Sequence, residues 1–503
     1  MLNSIDFSGR PFHFIGIGGI GMSALAYVLT KRKLPVSGSD LCLNHITKRL
    51  QENGAHIFWS QDAANLDIFR DIASVSSDSK LANGVGQSSP PQAQPPEILP
   101  QVICSTAINP ANAEYRAALD LGCPIFHRSD VLAALMRDSQ GIAVAGTHGK
   151  TTTSSMIGYL LLGVGLDPTI VVGGEVNAWD GNARVGQSPY LVAEADESDG
   201  SLIKFSPYIG IVTNIELDHP DHYNSLDEVV DIFQTFAQQC QVLIGCIDCA
   251  TVRQALQPTL TYSLNPGLRA DYTVDQVDYR SDGTVARIWE RGEILGQLNL
   301  KLLGSHNLSN ALSAIAVGRF LGLEFAQMAP VLATFEGARR RFEHRGEQNQ
   351  IRFIDDYAHH PSEIQATLTA ARLRVQSSNT DQHRVVAVFQ PHRYSRTQTF
   401  LREFAQSFGN ADLVVTTDIY SAGELSLGQV TGQQVAEAIA IHHPHVTYQP
   451  TLQTVSAYLM ETLMPGDLVL FLGAGNLNRV IPELVAHYQQ IDQIKSQACC
   501  SPA

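Results

Sequence analysis

Short apolar runs alternate with glycine-rich turns and amphipathic stretches along this chain. The first run, Phe12-His13-Phe14-Ile15-Gly16-Ile17, reads as a strand that enters the turn Gly16-x-Gly18-Gly19-x-Gly21. A helical pattern follows to about Lys31, and a second strand ends at Ser39-Asp40. Strand, tight glycine turn and helix in that order open the βαβ unit of a nucleotide-binding fold. The strand pattern resumes at 101–105, a helix is expected over 131–137, and the apolar run 141–145 leads through a second glycine-containing turn into a helix over 152–162. Strands at 190–193, 209–213 and 241–245 then alternate with helices and close on an amphipathic helix over 307–321. Strands at 351–354, 384–389, 411–416 and 467–472 repeat the alternation. Such alternation predicts parallel sheets covered by helices, the α/β class.

Three domains are expected. They are an N-terminal Rossmann-like domain over 1–137, a central P-loop-type ATP-binding α/β domain over 138–345 and a C-terminal Rossmann-like α/β domain over 346–490, with a disordered polar tail over 491–503. The total of 503 residues agrees with the soft rule of about 150 residues per domain. The segment 76–100 is rich in Ser, Pro, Gln and Gly, cannot bury enough apolar surface to order itself, and reads as a mobile surface insertion.

Charge and hydropathy narrow the partners. A formal charge of -15 with 17% charged residues gives no basic field to hold a polyanion, which argues against nucleic acid. The apolar runs are short or broken by glycine and no cleavage-like segment precedes Gly16, so no membrane insertion is expected and the cytoplasm is the expected compartment. Eight cysteines are scattered along the chain, and the one CxxC, Cys246 to Cys249, has no second pair near it. Neither a disulfide framework nor a cysteine-ligated metal is expected.

The second turn carries the most specific chemistry. Gly146-Thr147-His148-Gly149-Lys150-Thr151-Thr152-Thr153 lies between a strand and a helix. Small residues there let backbone N–H groups face phosphate oxygens, Lys150 supplies a point charge, and the Thr151 hydroxyl can ligate magnesium. Only Thr147 and His148 separate the first glycine from the Gly-Lys pair, a shorter spacing than the common P-loop. Two apolar strands end in candidate ligands: Glu194-Ala-Asp196-Glu197-Ser198-Asp199 and Thr213-Asn214-Ile-Glu216-Leu-Asp218-His219. Strand ends are where α/β proteins gather ligands. Glu194 is the favoured magnesium ligand of the first; His219 either joins that metal or fills a loop. The N-terminal turn, with Asp40 at the end of the second strand, fits a dinucleotide but equally any nucleotide diphosphate at a helix N-terminus. A dehydrogenase has no need of a second, magnesium-type cradle, so ATP plus a nucleotide-linked substrate is the better reading.

Six motifs occur in order: Gly146 to Thr153, Glu194 to Asp199, Thr213 to His219, His306-Asn307-x-x-Asn310-Ala311, Asp355-Asp356-Tyr357-Ala358-His359-His360-Pro361, and His392-Arg393-Tyr394-Ser395-Arg396-Thr397. Together they resemble the Mur ligase family. With Gly16-Ile-Gly-Gly-Ile-Gly-Met-Ser23 and the Asp355 to Pro361 motif, they are similar to its alanine-adding branch. The resemblance implies an ATP- and magnesium-dependent ligase joining L-alanine to the lactyl carboxylate of UDP-N-acetylmuramate through an acyl phosphate, for peptidoglycan precursors. It implies a UDP-sugar site at Gly16, Gly18, Gly19, Gly21, Asp40 and Ser105, and an ATP site at Gly146, Thr147, His148, Gly149, Lys150, Thr151, Thr152, Asn307 and Asn310, with His306 nearby. Thr151, Glu194 and His219 would hold magnesium, with Lys150, His219 and Glu194 catalytic. Tyr357, His359, His392, Arg393 and Arg396 would surround the alanine, an arginine forking onto its carboxylate. A monomer or a homodimer is expected.

Two features depart from the family's pattern. No lysine lies between Lys204 and Lys301, so the carbamylated lysine of some sister ligases has no counterpart, and Trp59-Ser60-Gln61 stands where relatives often carry a Gly-His pair near the uridine. A recycling ligase that attaches a ready-made peptide, a folylpolyglutamate-type ligase and a UDP-sugar sensor with a regulatory ATP site are the rival readings.

Overall fold

The computed structural model describes residues 4–42, 44–69, 99–376, 383–426, 428 and 430–499. Residues 76–98 of the expected insertion and Cys500 lie outside them. The chain divides into two compact units.

One unit comprises residues 1–142, 167–194 and 204–208. Its strands β1 (Phe12–Ile15), β2 (Val36–Ser39), β3 (His56–Phe58), β4 (Gln101–Cys104) and β5 (Ile125–His127) form a parallel sheet in the order β3-β2-β1-β4-β5. Strand β1 is central and buried at every position, which explains its unbroken apolar run. The one polar side chain in it, His13, is paired with Ser37 (2.8 Å) and Glu114 (2.8 Å). Strand β6 (Gln140–Ala145) leads out of this region. Strands β7 (Thr169–Val176), β8 (Gly181–Arg184) and β9 (Tyr190–Glu194) belong to the same unit, β7 pairing parallel with β9 and antiparallel with β8.

The other unit comprises residues 143–166, 195–203 and 209–503. Strands β10 (Ile209–Val212), β11 (Val242–Cys246), β12 (Leu260–Tyr262) and β13 (Tyr272–Arg280) run parallel, and β14 (Gly283–Glu290) and β15 (Glu293–Leu300) continue from β13 as an antiparallel meander. A second sheet has the order β16-β17-β21-β18-β19-β20, with β16 (Glu343–Gln348), β17 (Ile351–Asp356), β18 (Arg384–Phe389), β19 (Leu413–Thr416), β20 (Val446–Tyr448) and β21 (Asp467–Leu472). Only β16 is antiparallel to its neighbour. Alternate residues of β18 and β21 feed different cores. Val385, Ala387, Phe389, Leu468, Leu470 and Leu472 pack on one face; Val386, Val388, Val469 and Phe471 pack on the other. A period of two with both faces apolar is what a helix-covered parallel sheet requires.

Each strand that was expected is found within a residue or two, the usual latitude at element ends. Strands β3, β5, β7, β8, β12, β16 and β20 and the meander β13 to β15 were not anticipated. Gly346, the expected start of the last domain, lies inside β16 of the hairpin β16-β17. The helix Ile481–Cys499 runs through the stretch read as a disordered tail; Tyr488 of this helix joins the apolar core, and Asp492 accepts the backbone N–H of Asn349. Among the described residues no helix is long and apolar enough to cross a membrane. The candidate functional residues sit at or just beyond the C-terminal ends of strands: Gly16 after β1, Asp40 after β2, Ser105 after β4, Gly146 after β6, Glu194 at the end of β9, Thr213 after β10 and Asp356 at the end of β17.

Candidate active site

The first glycine turn is built around Asp40. Its carboxylate accepts the N–H groups of Gly18 (2.8 Å) and Cys42 (3.0 Å), so in this structure it braces the turn and does not stand clear for a ribose. A Cβ at Gly18 would fall 2.8 Å from Asp40 Oδ2, which explains the glycine. Gly16 has φ 81°, and Gly19 caps the helix Ile20–Lys31. A Cβ at Gly21 would lie 3.4 Å from Arg128 Nη1, so a guanidinium that the motif did not reveal stands beside the turn. Ser105 opens a tight turn in which its carbonyl accepts from Ile108 N–H, and Ile108 packs toward Gly16. A helix N-terminus with an arginine beside it suits a diphosphate, although the N–H groups of Gly16, Gly18 and Gly19 are already bonded to Ser39, Asp40 and Gly16 in this structure.

The second cradle lies in the larger unit. Gly149, with φ 82°, caps the helix Lys150–Gly163, and Gly146 has φ 137° with its Cβ position blocked by Thr213 Oγ1. The loop after β10 embraces the cradle. Asn214 Oδ1 accepts from His148 N–H (2.8 Å), Thr213 Oγ1 donates to the His148 carbonyl (2.6 Å), and Glu216 N–H donates to the Thr147 hydroxyl (2.9 Å). Lys150 Nζ donates to the carbonyls of Gly146 (2.6 Å) and Thr147 (3.0 Å) and to Glu197 Oε1 (2.8 Å). Glu197 is buried, its Oε2 has no partner, and desolvation pushes its carboxyl up to about 7 against the pull of Lys150.

Beside the cradle lies an open pocket lined by Gly149, Thr152, Asn307, Asn310, Arg341, Asp356 and Glu363. Asn307 is fixed by the Leu303 carbonyl (2.8 Å), and His306 also faces the pocket. Asp356 accepts from Phe342 N–H (2.7 Å) and Ala358 N–H (2.8 Å), and burial raises its carboxyl to about 6.

Beyond the loop after β10 stands the histidine and arginine cluster. Arg396 is buried and places Nε (2.9 Å) and Nη2 (2.8 Å) on Asp218 Oδ1, with Nη1 3.3 Å from His392 Nδ1. The expected fork onto a substrate carboxylate is therefore closed on Asp218 here. Burial alone would raise Asp218, but the Arg396 guanidinium holds it well below the usual carboxylate range. Arg393 is half-buried, bonds Asp221 and has Glu424 at 3.8 Å; its φ of 65° is a strained value for a non-glycine residue. His392 stacks on Tyr420 and meets His359 edge to face. His359 Nδ1 donates to the Tyr357 carbonyl (3.0 Å). Burial pushes His359 down to about 4 and His392 to about 3, so both rings are neutral near pH 7. Tyr357 lies under the guanidinium groups of Arg340 and Arg341.

Three family models match in order: "Mur ligase family, catalytic domain" over residues 11–140, "Mur ligase middle domain" over 144–318 and "Mur ligase, glutamate ligase domain" over 340–475. The chain is 68% identical over 97% of its length to the UDP-N-acetylmuramate--L-alanine ligase of Nostoc punctiforme, 98% of which is covered. The chain belongs to the Mur ligase family. The relative so named from Trichormus variabilis is 66% identical, over 96% of this chain and 98% of its own. The crystal structure of the UDP-N-acetylmuramate-alanine ligase of Thermotoga maritima superposes with a TM-score of 0.76 at 27% identity, covering 96% of this chain and 99% of that one. A murein peptide ligase from Psychrobacter arcticus shares the fold, with a TM-score of 0.67 at 21% identity over 96% of this chain and 99% of that one. The fold of this Mur ligase is thus the three-domain α/β fold.

The donors that the motifs nominate for magnesium can be tested on their chemistry. Thr151 stands in the first turn of the helix Lys150–Gly163, in a cradle whose glycine positions admit no Cβ without collision or strain. His219 has φ 54°, burial keeps its imidazole neutral, and Lys150 and Asp196 are both near enough to act on it. Glu194 ends β9 in the smaller unit, its carboxylate accepting from Gly173 N–H (2.9 Å). A hydroxyl oxygen is the hard donor magnesium prefers and a neutral imidazole is available as a further ligand, so Thr151 and His219 fit the ion by their chemistry, while the carboxylate of Glu194 belongs to the other unit. A different trio, His148, Glu216 and His360, has ligand atoms within 4.8 Å of one another. It is filled differently: one His148 nitrogen faces Glu216 and the other Glu363, both at 3.3 Å. That leaves the ring no lone pair for a metal.

Sequence reasoning missed Arg128, Arg341 and Glu363 in this Mur ligase, and it gave Glu197, within the Glu194 to Asp199 cluster, no role as the partner of Lys150. Arg341 and Glu363 follow Asn310 and Pro361 in the chain, yet both line the pocket beside the cradle. Only the proximity of Arg339-Arg340-Arg341 to the Asp355 motif could have hinted at the first.

Proposed function

We propose that this chain is a UDP-N-acetylmuramate:L-alanine ligase. It activates the lactyl carboxylate with ATP and joins it to L-alanine in the cytoplasm, in peptidoglycan precursor synthesis. The observation that carries the reading is the loop after β10. Thr213, Asn214 and Glu216 of that loop grip the phosphate cradle, while Asp218 and Asp221 grip Arg396 and Arg393. One short segment therefore sets the phosphate position beside the amino-acid cluster, as a phosphoryl transfer followed by amine attack requires. The names of the relatives at 66–68% identity support the same substrates.

In this reading residues 1–137 hold the UDP-sugar through the Gly16 to Gly21 turn, 138–345 hold ATP, and 346–490 hold the amino acid. A lactyl oxygen attacks the γ-phosphorus, the bond to ADP breaks, and an acyl phosphate forms. The alanine nitrogen then attacks the acyl carbon, loses a proton, and the C–O bond to phosphate breaks. Lys150 turns from Glu197 to the phosphoryl oxygens, and the helix N-terminus behind Gly149 faces the same charge. Thr151 and His219 would hold a magnesium ion beside the cradle, which would supply charge neutralisation for the phosphates, and the Glu194 carboxylate of the other unit offers a further hard donor. Arg393 and Arg396 both rest on aspartates of the loop after β10, and the half-buried Arg393 exchanges Asp221 for the alanine carboxylate while the enclosed Arg396 stays on Asp218 beside the neutral rings of His359 and His392.

Oxygen-18 placed in the lactyl carboxylate tests the acyl phosphate: one labelled atom should appear in the released inorganic phosphate. Label retained wholly in the amide product and unreacted sugar would overturn the route.

A further inference from the structure

The phosphate cradle carries a histidine that phosphate binding does not require. The main chain of His148 is fixed from one side: its N–H donates to Asn214 Oδ1, and its carbonyl accepts from Thr213 Oγ1 and Asn214 Nδ2 (3.1 Å). Its ring is fixed from the other side. Nε2 lies 3.3 Å from Glu216 Oε2, and Nδ1 lies 3.3 Å from Glu363 Oε1. Glu363 stands in the first turn of the helix Pro361–Gln376, and its second oxygen accepts the N–H groups of His359 (3.0 Å) and His360 (3.3 Å). Glu216 is in turn held by the Ser362 hydroxyl (2.8 Å). His360 packs its ring 4.6 Å from that of His148 and is nearly sealed from solvent.

A ring with a carboxylate at each nitrogen is satisfied only as an imidazolium, with two donors. The two acids raise His148 to about 10 although burial opposes them. Two segments that serve different substrates thus meet on one side chain. The cradle faces the nucleotide phosphates, and the segment 357–363, shaped by Glu363, carries Tyr357 and His359 of the amino-acid cluster.

We propose that His148 is a positioning residue which couples the phosphate cradle to the segment 357–363, so that nucleotide binding sets the amino-acid site through the His148–Glu363 contact. The inference rests on the ligase reading for its kinetics but not for its structural readout.

The test uses His148→Gln, Glu363→Gln and the double variant of the full chain. Affinity for a fluorescent ATP analogue, hydrogen exchange of residues 357–363 with and without that analogue, and kcat and KM for each substrate are measured. Cooperative thermal unfolding and a circular-dichroism spectrum matching the unaltered protein report that the variants fold. In the unaltered protein the analogue should slow exchange at 357–363, and in both single variants that protection should be lost. The KM for L-alanine should rise about tenfold, the scale of a charge-assisted hydrogen bond, with ATP-analogue affinity changed less than about threefold. The double variant should be no worse than either single one. Retained protection, additive losses, or a loss confined to ATP affinity would each overturn the coupling and leave His148 as part of the cradle alone. If the unaltered protein joined no alanine, the ligase reading would fail, while the exchange result would still decide the inference.

Discussion

A Lys150→Ala variant is expected to lose turnover by about a thousandfold or more, the range found when a principal transition-state donor is removed, while its UDP-sugar affinity stays within about twofold. The separation follows from the chain's division. Lys150 lies in the larger compact unit and the Gly16 to Gly21 turn in the smaller one. The variant also strands Glu197, a buried carboxylate whose one cation is gone. Glu197 should then take up a proton, and the protein should melt at a lower temperature. Lys150→Ala/Glu197→Gln separates the two effects: it should recover most of the lost thermal stability and none of the turnover. Recovery of turnover by the double variant would show that Lys150 serves only to neutralise Glu197.

Replacing Arg396 by Met should be the most damaging single change to stability at the site, costing about 3–5 kcal/mol because it leaves a buried acid uncompensated. Both partners are almost fully enclosed, with side-chain exposures of 3% and 6%. The sign of the pH dependence identifies the cause. In the unaltered protein Asp218 is held below its ordinary value, so its contribution is present above the unfolded value near 3.9 and is lost as pH falls through the lower folded value. Without Arg396 the burial that opposes ionisation loses its main counterweight, and the folded value should move up. The variant's deficit in melting temperature should then shrink as pH is lowered from 8 to 5. A deficit independent of pH would mean that Arg396 contributes through packing alone. Turnover should fall as well, since Asp218 also supports the backbone N–H of His219 (2.7 Å).

Much of the fold was legible because its signals are local. The unbroken apolar runs of β1, β18 and β21 reflect strands buried on both faces, and both glycine turns announce helix N-termini open to phosphate. The glycine positions of the central turn were legible, since Gly146 and Gly149 are required by backbone conformation and by Thr213 and Asn310 alongside them. The contribution of Arg341 and Glu363 to the pocket beside it was not, because they reach it only through the packing of a second sheet. Arg396 shows what a motif cannot carry: its partner in this structure, Asp218, lies 178 positions earlier in the chain. The meander β13 to β15 escaped because register shifts interrupt it near Asp275 and Ile288 and because β15 is largely exposed, and the last helix because its polar residues hid a core contact at Tyr488.

The central claim is that this chain makes an amide from UDP-N-acetylmuramate and L-alanine at the expense of ATP. ADP release by the purified protein, with UDP-N-acetylmuramate and magnesium present, should be compared with L-alanine, with no amino acid and with L-alanyl-γ-D-glutamyl-diaminopimelate. The account predicts release that depends on L-alanine. Release only with the tripeptide, or none with any acceptor, would contradict it.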